Sequence, residues 1–237
     1  MSLFGKKTIT APVQDTPVPK ASLVSLRKEA AVSLKKHGLE VDGSGGVAVY
    51  LVLDHSASMQ GYYRNGDVQR ITDQVLALTI EIDKDGDVPV FYYGWDVSKP
   101  ESVTPANYAG FVDRTHKQHR WGSTNTAGAI RAVAEYHEKH GNGDPGLVVF
   151  QTDGVPDSRP EARQALKNVS GDKLFYAFVG YGPKRNVEFL FELDGIEGRV
   201  RDNASAFHAV DPQRTKDSDL YDGVLKEFTG EWLPQVL

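Results

Sequence analysis

Two carboxylates and three hydroxyls stand out in this chain because of where they fall. Asp54-His55-Ser56-Ala57-Ser58-Met59 sets a carboxylate and two hydroxyls at every second position, directly after the apolar run VAVYLVL. A turn leaving a strand there can aim Asp54, Ser56 and Ser58 at one point. A second stretch, Trp121-Gly122-Ser123-Thr124-Asn125-Thr126, precedes a helical pattern and offers Thr124. A third, Gln151-Thr152-Asp153-Gly154, closes another apolar run and offers Asp153. Oxygens of this kind are hard ligands, suited to Mg2+, with Mn2+ or Ca2+ as alternatives, rather than to an ion that prefers imidazole or thiolate. Two carboxylates neutralise a divalent ion, while hydroxyls coordinate without adding charge. The ion therefore keeps its pull on an incoming carboxylate. Helix capping is the plain structural reading of DHSASM, but capping does not account for the matching Thr124 and Asp153 stretches.

The elements that must position these residues follow from periodicity. VAVYLVLD, VPVFYYGWDV, GLVVFQTDG and KLFYAFVGYG are nearly continuous apolar runs, as strands buried on both faces require. Between them VQRITDQVLALTIEI, TAGAIRAVAEYHEKH and PEARQALKNV read as helices; VEFLFEL reads as a further helix, AFHAV as a short strand and DLYDGVLKEFTGEWLPQVL as a closing helix. In the closing helix Leu220, Val224, Leu225, Phe228, Trp232 and Leu233 share one face, which should pack on the sheet. Alternating strands and helices predict an α/β fold, a doubly wound, mostly parallel central sheet with helices on both faces. Ligands in such sheets bind beyond the carboxyl ends of the strands, where the three loops fall.

Upstream, residues 1–20 carry few large apolar residues and read as a flexible leader. Residues 21–45 form an N-terminal helix and a Gly-rich joint, with Leu23, Leu26, Ala30 and Leu34 at helical spacing and Gly38 placed to end the helix. That amphipathic helix is expected to dock on its own domain, residues 46–237.

Composition narrows the function classes. The chain has 237 residues with 40% apolar and 25% charged content, enough for one sizeable core. It has no cysteine, which excludes disulfides, thiolate zinc sites and thiol nucleophiles and fits a cytoplasmic location. No segment approaches the roughly 20 apolar residues that a membrane span needs. The net charge is −5, yet residues 1–40 contain seven Lys/Arg against three Asp/Glu, so the remainder carries −9. A body that acidic argues against nucleic acid as a partner.

DHSASM, then GSTNT, then TDG after a buried strand resembles the metal-ion-dependent adhesion site of the von Willebrand factor type A (VWA) domain, over roughly residues 46–237. The resemblance implies a Rossmann-like VWA fold. It also implies that Asp54, Ser56 and Ser58 match the Asp-x-Ser-x-Ser triplet, Thr124 the threonine of the second loop and Asp153 the aspartate of the third. Members of the family hold Mg2+ there with water, one of which an acidic residue of a protein partner displaces. The sequence departs at His55, where an apolar residue is common, and at Ala57 and Ser123, where glycine is common; none of these changes removes a ligand. SLRKEAAVSLKKHGLEVD and NGDVQRITDQ resemble the bacterial cytoplasmic branch associated with tellurite and toxic-ion resistance and stress response. The resemblance further implies that relatives which switch move the closing helix.

Other chemistry-bearing residues have plainer readings. His137 and His140 sit at i, i+3 without a third ligand and are expected on the surface. His116 and His119, in RTHKQHRWG, are placed to line the rim of the site or to form a solvated basic loop, and His55 is expected to be hydrogen-bonded in the core. Asp83-Lys84-Asp85-Gly86-Asp87 is a helix-to-strand turn rather than a calcium loop, because Gly94 stands where the bidentate glutamate would be needed. Phe91, Tyr92, Tyr93 and Trp95 are expected to pack between sheet and helices. The leading functional expectation is a metal-dependent protein-interaction module, a scaffold in a stress response, with no catalytic residues. A metal-assisted hydrolase or phosphotransferase using the same ion is the alternative. No nucleophile elbow supports it, since Asp42-Gly43-Ser44-Gly45-Gly46 precedes its strand and lacks the first glycine.

Overall fold

Apolar side chains at both parities of a strand leave no face for water, so each such strand needs cover above and below. The computed structural model describes residues 22–39, 46–83 and 86–237. Its chain order is α1 (Leu23–Lys36), β1 (Ala48–Asp54), α2 (Gln60–Asn65), α3 (Asp67–Ile82), β2 (Val88–Tyr93), β3 (Glu101–Val103), α4 (Phe111–Thr115), α5 (Thr126–His140), β4 (Gly146–Thr152), α6 (Arg159–Asn168), β5 (Leu174–Tyr181), α7 (Lys184–Asp194), β6 (Ala204–Ala209) and α8 (Asp217–Glu227). The expected leader and most of the Gly-rich joint lie outside the described residues.

The six strands form one sheet in the order β3-β2-β1-β4-β5-β6, and all neighbours are parallel except β2 and β3. Val49, Leu51 and Leu53 of β1, with Leu147 and Val149 of β4, face a core completed by α1, α3 and α8. Tyr50 and Val52, with Val148 and Phe150, face the opposite core under α5, α6 and α7. This is the doubly wound, Rossmann-like architecture expected from the run pattern.

α1 is part of that packing. Ser22 caps it by accepting from the Ser25 amide, and Leu26, Ala30 and Leu34 are buried against α3 and α8. Arg27 pairs with Glu81 of α3 at 2.6 Å, while Lys36 and His37 both reach Asp222 of α8.

Two elements differ from the sequence reading. The strand expected over VPVFYYGWDV stops at Tyr93, where Gly94–Asp96 bends the chain back so that Ser98 pairs with Tyr92 through its amide and hydroxyl. The returning chain forms the short antiparallel edge strand β3. The closing helix stays α-helical only to Glu227; Phe228–Trp232 widens into a π-helical turn and Leu233–Gln235 tightens again. Pro234 lacks an amide hydrogen and its ring would strike the preceding turn of an α-helix, so the α ladder cannot continue through it. All six residues of the expected apolar face are nonetheless buried, Phe228 and Trp232 completely.

Candidate metal centre

The chain runs from β1 outward to β2 and β3 on one side and then crosses to β4, β5 and β6 on the other. The loops after β1 and β4 therefore leave neighbouring strands in opposite directions, which opens a crevice at their carboxyl ends. Asp54 is the last residue of β1, and Asp153 follows the last residue of β4.

Asp54 is fully buried. Its Oδ1 accepts from the Ser56 amide at 2.7 Å, its Oδ2 from the Thr152 hydroxyl at 2.6 Å, and its carbonyl from the Tyr63 hydroxyl at 3.1 Å. Ser56 Oγ and Ser58 Oγ lie 3.1 Å apart, and Ser58 donates to Asp153 Oδ1 at 2.8 Å. Asp54, Ser56, Ser58 and Asp153 thus belong to one polar chain spanning both loops. Thr124 joins from the second loop: it is buried, and a Cβ placed on Gly154 would lie 3.9 Å from its Oγ1.

Backbone contacts hold that second loop in place. Gly122 donates to the His55 carbonyl at 3.0 Å and accepts from the Ala57 amide at 3.1 Å, a parallel bridge beside Ser56. Asp157 clamps the far side, accepting from the Thr124 amide at 2.9 Å and from the Ser123 hydroxyl at 2.6 Å. Asn125 then caps α5 by accepting from the Gly128 amide.

Burial dominates the electrostatics. It pushes the Asp54 carboxyl up to about 6, against the hydrogen bonds from Thr152 and Ser56, and the charge of Asp153 pushes the same way. Asp153 is also raised by burial, eased by the Ser58 hydrogen bond. Among the described residues no Lys or Arg forms an ion pair with either carboxylate. A buried acid pair with no cation, lined by hydroxyls, has the donor set of a hard divalent ion. Clusters of three or more His, Asp or Glu suited to a metal are absent among the described residues, so this set depends on its hydroxyls.

A family model described as the vWA domain found in the TerF C terminus matches residues 46–236. The chain belongs to the vWA-TerF-like family. An uncharacterized Bacillus subtilis (strain 168) protein, YcbR, is 32% identical over 185 residues, which cover 76% of this chain and 75% of that protein. The fold is also similar to that of a von Willebrand factor type A protein from Catenulispora acidiphila, with a TM-score of 0.52 and 15% identity over 80% of this chain and 43% of that one. Proximal thread matrix protein 1 from the mussel byssus, solved with a zinc-occupied MIDAS motif, gives a TM-score of 0.53 and 17% identity over 81% of this chain and 48% of that one. The chain spans less than half the length of each of these two solved chains.

In this vWA-TerF-like domain several neighbours of the site escaped the sequence reading. Thr152 was visible in QTDG, and its place at the end of β4, level with Asp54, is the signal that it faces the carboxylate. Asp157 was hidden, because an Asp before Ser158 at the start of a helix reads as a cap; Ser158 is the cap, accepting from the Glu161 amide, and Asp157 serves the loop.

The histidines divide as their surroundings dictate. His55 is buried, as expected, with Nδ1 donating to the Arg120 carbonyl at 3.3 Å and its ring stacked on Trp121 at 3.9 Å. Burial depresses its pKa to about 4, against the Arg120 carbonyl and helped by His116 and His119. His116 meets the His55 Nε2 at 3.4 Å. The surface expectation fails for His137, although His140 is exposed. His137 is buried, bonded to the Tyr50 hydroxyl at 2.9 Å and packed over Gly141 and Gly146, where a Cβ would strike its ring. It continues the inward stripe of Ile130 and Val133 on α5. Trp95 is also corrected: Phe91, Tyr92 and Tyr93 are buried, but Trp95 is 70% exposed because the chain has already left the sheet.

Proposed function

We propose that this chain is a protein-interaction module that holds a divalent ion at Asp54, Ser56, Ser58, Thr124 and Asp153 and grips an acidic residue of a protein partner through it. The observation that carries this reading is the Asp54 and Asp153 pair, buried, without a Lys or Arg ion pair among the described residues, and joined through Ser56 and Ser58. An ion supplies the missing positive charge, and the neutral hydroxyls leave it able to attract a further carboxylate. Mg2+ fits the all-oxygen set best, with Mn2+ and Ca2+ as alternatives; the byssus protein's motif carries zinc. Membership of a family named for TerF supports a scaffold role in a bacterial response to tellurite or related stress, in the cytoplasm. No helix among the described residues is long and apolar enough to cross a membrane.

Calorimetry with Mg2+, Mn2+ and Ca2+, paired with thermal melts in metal and in chelator, tests the centre. Metal at a hundred times its dissociation constant contributes about 2.7 kcal/mol, on the order of 5–10 °C for a domain of this size. Identical melts in all conditions with no heat of binding would remove the metal from this reading. Affinity capture in Mg2+ and again in chelator tests the partner, which must be released on chelation. Metal-dependent turnover of a phosphorylated or peptide substrate would instead favour a hydrolase or phosphotransferase.

A further inference from the structure

The segment Arg114-Thr115-His116-Lys117-Gln118-His119-Arg120 holds three cations and no acid, on a body whose net charge is strongly negative. It ends against the candidate metal centre, since the Arg120 carbonyl contacts the ring of His55, the residue after Asp54. Arg114 is occupied by the carbonyls of Ala109 and Asn107. Lys117 and Arg120 are exposed, and among the described residues neither enters an ion pair. The acids nearby are Asp96, Glu101 and Asp113, which directly precedes the segment and acts on His116; Glu101 lies 3.9 Å from His119 Nε2.

Facing this basic segment is Trp95. Trp95 is 70% exposed, and hydrogen bonds on both sides fix its mounting. Asn125, next to Thr124, donates from Nδ2 to the Trp95 carbonyl at 3.1 Å, and the Gly94 amide donates to the Asp96 carbonyl at 2.9 Å. Gly122 packs so tightly on this turn that a Cβ there would lie 2.5 Å from the Trp95 nitrogen. Between the two walls lies a cavity of about 360 Å3, bounded by Tyr92, Trp95, Val97, Gln118, His119 and Arg120. Fixed exposed aromatics and unpaired arginines are the side chains on which interface energy concentrates.

We propose that the cavity between Trp95 and the Lys117–Arg120 segment is a docking site for an acidic peptide segment of the partner. This rests on the metal-dependent reading above. One carboxylate of the segment meets the ion, a second acidic side chain meets Arg120 and Lys117, and the chain between them lies against Trp95. Charge complementarity selects the occupant, because Lys117 and Arg120 place two exposed cations, without ion pairs among the described residues, beside a site whose own charged groups are the carboxylates of Asp54 and Asp153. Repulsion disfavours RNA, whose backbone would face the acidic body beyond the patch.

The test is selection of a random dodecapeptide phage library on the immobilised full chain in Mg2+. Selected clones should be enriched in Asp and Glu. Their retention should fall at least tenfold on the Lys117→Glu/Arg120→Glu double variant and severalfold on Trp95→Ala, with the Mg2+ dissociation constant unchanged in both. No selection above background, clones without acidic enrichment, or equal retention by the charge-reversed variant would overturn the proposal. So would tight binding of a single-stranded RNA oligonucleotide that depends on Lys117 and Arg120. Calorimetry on the same samples separates the two readings. A wild type that binds no Mg2+ overturns the metal centre, whereas normal Mg2+ binding with acid-blind selection overturns the docking site alone.

Discussion

Thr152 donates its hydroxyl hydrogen to Asp54 Oδ2 at 2.6 Å, one step beyond the register that sets Leu53 opposite Gln151. The hydroxyl also accepts from the Gly154 amide at 3.2 Å, so one side chain orients the Asp54 carboxylate and the turn that presents Asp153. Thr152→Val keeps the shape and removes both bonds, leaving a buried carboxylate oxygen without its donor. The expected cost is about 1–3 kcal/mol of stability, together with weaker Mg2+ binding, whereas Thr152→Ser should retain most of both. Denaturant melts and calorimetry on the two variants check this; a valine variant with wild-type metal affinity would remove Thr152 from the support of the site.

Asp54→Asn and Asp153→Ala should each abolish Mg2+ binding, because each removes one of the two charges that balance the ion. In chelator the sign reverses for Asp54→Asn. A neutral amide in a fully buried position avoids the desolvation that raises the Asp54 carboxyl, and the Thr152 hydroxyl can rotate to accept from the new amide. The variant should therefore melt above the wild type without metal and below it in saturating Mg2+. Parallel melting curves in the two buffers would contradict the assignment.

Gly122→Ala tests the seam between the first and second loops. The new methyl carbon would meet backbone on two sides, 2.5 Å from the Trp95 nitrogen and 2.9 Å from Gly94. Backbone cannot swing aside as a long side chain does, so the seam must open. A loss of about 1–3 kcal/mol is expected, with metal affinity reduced because Thr124 moves away from Asp54. Gly61→Ala, where nothing lies within 4 Å, is the matched control and should be nearly neutral.

The four central strands were legible because they carry apolar residues at both parities, and that pattern has few other solutions; the edge strand β3, ESV, does not carry it. The candidate ligands could be named because two of the three short polar motifs follow such runs and the third precedes the helical pattern of α5. What escaped was set by particular side-chain contacts that periodicity does not report. The turn at Gly94–Asp96 depends on Ser98 pairing back to Tyr92, and that turn turns Trp95 outward although its composition matches the buried aromatics before it. Asp157 serves Thr124, 33 positions earlier, which local capping rules do not foresee. His137 is a different kind of miss. Its i, i+4 relation to Val133 was present in the sequence, and the pairing with His140 drew attention to the wrong face of α5.

Asp194 ends α7 half-buried, with its carboxyl raised to about 6 by burial and by Asp202, relieved by Arg199 and raised again by Glu231. A carboxyl whose pKa is higher folded than unfolded holds its proton more tightly in the native state. Stability is then lost as pH rises from about 4, the ordinary carboxylate value, to about 6, and the loss persists above that range. Asp194→Asn has no proton to lose and escapes this penalty. Relative to wild type it should be neutral near pH 4 and more stable at pH 7.5 by about 1 kcal/mol, a fraction of what full burial would give because the group remains half-exposed to screening solvent. That corresponds to roughly 2–4 °C. The measurement is the difference between variant and wild-type melting temperatures across pH 4–8, in chelator so that metal binding does not contribute. A flat difference would mean that folding leaves the Asp194 carboxyl unshifted, and one that shrinks as pH rises would mean that Arg199 stabilises the carboxylate in the folded protein; either outcome contradicts the raised pKa.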